Sequence, residues 1–95
     1  MLIRDLPLKP RNGSNEYWDS IVFHIYDGIR IRVQRATDKH YAYRHGSWWI
    51  YRFKDRGEIN KHLDMDEFEA QAVFDHYAQL YDLENNPALK LSRDT

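Results

Sequence analysis

Five histidines, His24, His40, His45, His62 and His76, are the residues of this chain best suited to chemistry, because an imidazole can carry a proton or hold a metal near neutral pH. Their spacing serves neither task. His40 and His45 are separated by four residues, but one precedes an expected strand and the other lies in its turn. His24 and His62 are expected on the same face of a sheet, on strands that need not be neighbours. His76 falls on the apolar stripe of a helix, where a hydrogen-bonded core histidine is the simpler expectation. Asp64 and Asp66 are explained by helix capping, so no carboxylate pair is left for acid–base work. Cysteine is absent, which removes disulfides, thiolate zinc sites and cysteine nucleophiles. The chain carries no nucleophile elbow, phosphate-binding glycine loop, dinucleotide fingerprint or HExxH motif. The expectation is a protein that is not an enzyme and that uses no metal and no cofactor.

Arginine and the aromatics are the other candidates. Aromatic residues make up 15% of the 95 positions, with seven Tyr and three Trp, and Trp, Tyr and Arg are the side chains most enriched at binding hot spots. The net charge of −1 hides a segregation. Residues 28–56 hold eight basic side chains against two acidic, and residues 57–95 hold three basic against nine acidic. Such a division suggests either a charged partner or two segments that neutralise each other in one small domain.

Strands must position these groups. Residues 19–26, "DSIVFHIY", and 29–33, "IRIRV", alternate apolar and polar positions around Asp27-Gly28, a hairpin signal. A three-residue loop, Tyr26-Asp27-Gly28, pairs Ile25 with Ile29, Phe23 with Ile31 and Ile21 with Val33. Every apolar side chain then lies on one face, which selects that register. The same turn is expected at Arg44-His45-Gly46 and at Asp55-Arg56-Gly57. It sends Tyr41, Tyr43, Trp49, Tyr51 and Phe53 to the core and leaves Trp48, Ile50, Arg52 and Lys54 outside. A two-residue turn at His45-Gly46 would exchange the roles of the two tryptophans.

A helix is expected next, with Asp64 as cap, Glu67 completing a capping box, and a stop near "ENNP". Met65, Phe68, Ala72, Val73, His76, Leu80 and Leu83 share one side of the wheel and are expected to face the sheet. Phe74, Tyr77 and Tyr81 form a second aromatic strip, read either as a wide docking face or as an oligomer contact, in which case the chain is a homodimer.

The expected architecture is a single α+β domain, an antiparallel meander of about five strands with one C-terminal helix on one face. Residues 1–16 form an arm or edge strand and a loop, 17–63 the meander, 64–84 the helix and 85–95 a mobile tail unless Leu89 and Leu91 dock. The first ten residues, "MLIRDLPLKP", carry Arg4 and Asp5 among the leucines and are not expected to act as a signal peptide. No membrane span is expected, and the absence of cysteine suits the cytoplasm.

The partner surface expected from this register is the outer sheet face, with Trp48, Ile50, Arg52, Arg30, Arg32 and Lys54. A protein partner ranks first, with the chain as a small regulatory, inhibitor or adaptor protein of the kind common in phages and mobile elements. Nucleic acid is the alternative, because arginine contacts phosphates and aromatic rings stack on bases. The run "YAYRHGSWWIYRFKDRGEINKHL" followed by "DEFEAQAVF" resembles, in arrangement only, the three-stranded-sheet-plus-helix DNA readers such as integrase arm-binding and plant AP2 domains. That resemblance implies Arg and Trp of the sheet in a major groove. The near-neutral total charge favours protein.

Overall fold

A computed structural model describes residues 1–11, 15–37, 48–85 and 90–92. A short 3-10 turn, Ile3–Asp5, precedes strands β1 (Lys9–Arg11), β2 (Asn15–His24), β3 (Ile29–Ala36), β4 (Trp48–Lys54) and β5 (Gly57–Met65), then helix α1 (Glu67–Tyr81) and strand β6 (Lys90–Ser92). The strands pair antiparallel in the order β1-β2-β3-β4-β5, and β6 joins β2. The α+β class and the single C-terminal helix on an antiparallel sheet are as expected. β1 and β6 come from the segments read as an arm or edge strand and as a tail: Lys9–Arg11 is an edge strand, and the tail docks with Leu91 opposite Phe23. The expected strand at Tyr41–Tyr43 and the turn at Arg44-His45-Gly46 lie outside the described residues.

The β2–β3 hairpin has the expected register, with Phe23 opposite Ile31 and Ile21 opposite Val33. Asp27 and Gly28 both take left-handed backbone, at φ 51 and 76. The β4–β5 turn does not have the expected register. Lys54 pairs with Gly57 and Phe53 with Glu58, so the loop is the two residues Asp55-Arg56, with Asp55 left-handed at φ 53. Ile59 becomes the extra residue of a bulge between Arg52 and Phe53, and a second bulge falls between Trp48 and Ile50. The two turns touch: the Asp55 amide donates to the Gly28 carbonyl at 2.8 Å, and Arg30 Nη2 donates to the Asp55 carbonyl.

The helix begins two residues later than expected. Asp66 is its cap, with the Glu69 amide donating to Asp66 Oδ1 at 2.7 Å and the Asp66 amide donating to Glu69 Oε1 at 3.1 Å. Asp64 instead sits at φ 54 beside the β5 bulge. Asp82 closes the helix in the left-handed region, and the Leu83 amide reaches back to the Ala78 carbonyl at 3.0 Å.

The core lies between one sheet face and α1. Ile21, Phe23, Ile25, Ile31, Val33, Trp48, Ile50 and Met65 meet Ala70, Phe74, Tyr77 and Tyr81, with Ile3 and Leu83 closing the ends. The 3-10 turn is tied to the helix: the Ile3 amide donates to Gln71 Oε1 at 2.9 Å, and Arg4 pairs with Glu67 at 3.3 Å.

The inward faces of β4 and α1 differ in part from expectation. Trp48, 3% exposed, and Ile50 belong to the core, because Ile50 pairs with Val33 and extends the aliphatic row begun by Ile21. Phe74, Tyr77 and Tyr81 are the buried side of α1, as the docking-face reading has them, while Phe68 and Leu80, expected to face the sheet, face outward at 85% and 53% exposure. The sheet supplies the reason. Arg52 Nη1 donates to the Tyr81 hydroxyl at 2.9 Å, and His62 Nε2 lies 3.0 Å from the Tyr77 hydroxyl. Buried phenols need such partners.

Candidate partner-binding face

The face turned away from α1 is built by alternation on β2, β3 and β4. Three cross-strand rows run across it: Ser20, Gln34 and Trp49; Val22, Arg32 and Tyr51; His24, Arg30 and Phe53. Trp18 stands at one end, its ring centroid 4.1 Å from that of Trp49. Ser20, Val22 and Gln34 are buried, and the aromatic and arginine side chains are half-buried.

Arginine and aromatic side chains interleave on this face. The Arg30 guanidinium lies 5.0 Å from the Phe53 ring centroid, and that of Arg32 lies 4.9 Å from Phe53 and 5.6 Å from Tyr51. Tyr51 and Phe53 stack at 6.0 Å with 17° between their planes. Cation–π contact and mutual stacking hold each group in place. Gln34 Oε1 is buried with no hydrogen-bond partner, an acceptor whose desolvation is uncompensated.

Of the six residues expected to bind a partner, Arg30 and Arg32 lie on this face. Trp48, Ile50 and Arg52 lie on the opposite one, and Lys54 is exposed at the strand end opposite Ile29. The sequence reading missed Trp18, Trp49, Tyr51 and Phe53. The signal that finds them is Ile50, the sole aliphatic residue of β4, which belongs beside Ile21 and Val33 and so turns its odd-numbered neighbours outward.

The second group of polar side chains is under the helix. The Arg52 guanidinium is 5.9 Å from the Tyr77 ring, and Tyr77 stacks on Tyr81. Burial, with a smaller push from His76, lowers the His62 pKa from its ordinary value. Burial raises that of Tyr77, opposed by Arg52 and reinforced by Tyr81. His76 is exposed, its ring against Tyr77, rather than in the core. His24 and His62 are on opposite faces, and His40 and His45 lie outside the described residues. Among the described residues no three His, Cys, Asp or Glu side chains are placed to hold a metal, and no helix is long and apolar enough to cross a membrane. This cluster fastens α1 to β4 and β5.

Comparisons with family models, with curated proteins and with solved structures found no match.

Proposed function

We propose that the chain is a non-enzymatic protein-binding module that engages its partner through the open sheet face carrying Arg30, Arg32, Trp49, Tyr51 and Phe53. The observation that supports this reading is the occupancy of the ring faces. Arg32 covers Tyr51 and Phe53, Arg30 covers Phe53, and Trp18 lies against Trp49. A platform for unpaired bases needs open ring faces, and here they are taken by the chain's own side chains. Ring edges and guanidinium groups are held in place before the partner arrives, and groups of this kind suit the carboxylates, carbonyls and apolar side chains of a protein. The role is that of a small regulatory, inhibitor or adaptor protein.

The alternative is nucleic acid on the same arginines, favoured by the basic balance of residues 28–56. Affinity capture from the native cell, with and without nuclease, separates the two. A protein retained after nuclease supports the proposal; capture that disappears with nuclease favours the alternative.

A further inference from the structure

Helix α1 exposes a ridge that lies outside the core formed by the described residues. Phe68, Ala72, His76 and Leu80 follow one another at intervals of four along its outer side, all exposed, with Phe68 at 85%. Residues at that interval stack into one line on a helix. The buried side is Ala70, Phe74, Tyr77 and Tyr81. The ridge is therefore apolar surface in excess of what docking to the sheet requires, and large exposed apolar side chains in line mark a contact.

Its border is acidic along the helix itself, with Arg4 engaged by Glu67 at the first turn. From His62 to Leu89 the chain has seven acidic residues and no lysine or arginine. Glu69 and Asp75 border the ridge, and both are exposed. A second copy on this ridge would set these acids against their own counterparts, because the helix has no basic residue to answer them. An anionic lipid surface is disfavoured for the same reason.

We infer that the outer ridge of α1 docks a basic amphipathic helix of a partner protein. Apolar side chains of that helix lie along Phe68, Ala72 and Leu80, and its Lys or Arg residues meet Glu69 and Asp75. The small Ala72 between larger neighbours leaves room for a side chain of the incoming helix, the usual pattern for a helix laid on an apolar strip. This surface is on the far side of the molecule from the open sheet face.

The test uses the full chain and three labelled peptides of about 18 residues, enough to run the length of the ridge. One has Leu and Lys in amphipathic order, one has the same composition scrambled, and one replaces Lys with Glu. Fluorescence anisotropy is expected to show binding of the ordered Leu/Lys peptide, and Phe68→Ser is expected to weaken it on the order of tenfold. Because Phe68 is exposed, that variant keeps the fold, which its far-UV spectrum checks. No binding of the ordered peptide, equal binding of the scrambled one, or an affinity indifferent to Phe68→Ser overturns the inference. So does a wild-type dimer in sedimentation that Phe68→Ser dissociates, since the occupant is then a second copy.

Discussion

Gly28 shows how narrowly one residue can be specified. It takes φ 76, and a Cβ there would press on the movable Asp55 carboxylate and come within 3.2 Å of the Asp55 backbone nitrogen. Gly28→Ala therefore meets both backbone strain and a collision between two turns, and is expected to cost about 2 kcal/mol in urea unfolding. A variant within about 0.5 kcal/mol of wild type would contradict the reading. Aspartate serves a related purpose. Asp27, Asp55, Asp64 and Asp82 are the non-glycine residues at positive φ among those described, and aspartate tolerates that region better than most side chains. These carboxylates are turn and cap elements. The tryptophan pair is also a residue-scale matter. Trp48→Ala is expected to cost about 3–5 kcal/mol, as for a large core aromatic, and Trp49→Ala distinctly less, because Trp49 is half-buried on the open face. Equal losses in paired denaturation curves would contradict the face assignment.

At the scale of elements, the faces of β4 and α1 were the hardest to read. The β2–β3 hairpin was legible because Ile and Val at alternate positions allow one register. Strand β4, "WWIYRFK", has large side chains on both faces, so amphipathicity did not choose between them. Turning β4 outside-in sent Arg52 to solvent and deprived Tyr81 of its partner. On the helical wheel alone, Phe68 and Leu80 read as core and the tyrosines as a second strip beside it. Polar partners for the phenols decided the helix orientation, and hydropathy does not register them. The cap was displaced because "DMDEFE" offers Asp-x-x-Glu twice, at Asp64 and at Asp66. Asp66→Ala is expected to cost about 1 kcal/mol, as at other N-caps, while Asp64→Gly, at a left-handed position, is expected to be neutral or mildly stabilising. Melting midpoints of the two variants would show the difference. The docking of α1 also has a pH signature. His62 has its pKa lowered by burial and by His76 relative to the ordinary 6.5, so folding favours the neutral ring. The stability this contributes is present above the unfolded value and is lost as pH falls from about 6.5 through the lower folded value. A melting series between about pH 5 and pH 8 is expected to fall on the acid side and to flatten in His62→Gln. An identical slope in the variant would exclude His62 as the source.

The whole molecule carries two surfaces of opposite character. Arg30 and Arg32 stand on the open sheet face, and Glu69 and Asp75 border the exposed ridge of α1. The excess of basic residues in positions 28–56 is not all on one face, since Arg52 is taken up under the helix and Arg35 lies 5.2 Å from the Trp48 ring. The open face is therefore less basic than the sequence suggests, which agrees with a protein partner better than with a polyanion. On the proposed reading, the long-range field of Arg30 and Arg32 speeds the encounter in addition to their contact in the complex. Raising salt from about 50 to about 500 mM is expected to slow association with little change in dissociation. The measurement closest to the central claim is the affinity of the captured protein partner for wild type and for Arg32→Ala/Phe53→Ala, by calorimetry on variants whose melting midpoints confirm the fold. The account predicts a loss of at least about 2 kcal/mol, roughly thirtyfold, as for paired hot-spot residues. A folded double variant that binds the partner with wild-type affinity would contradict it.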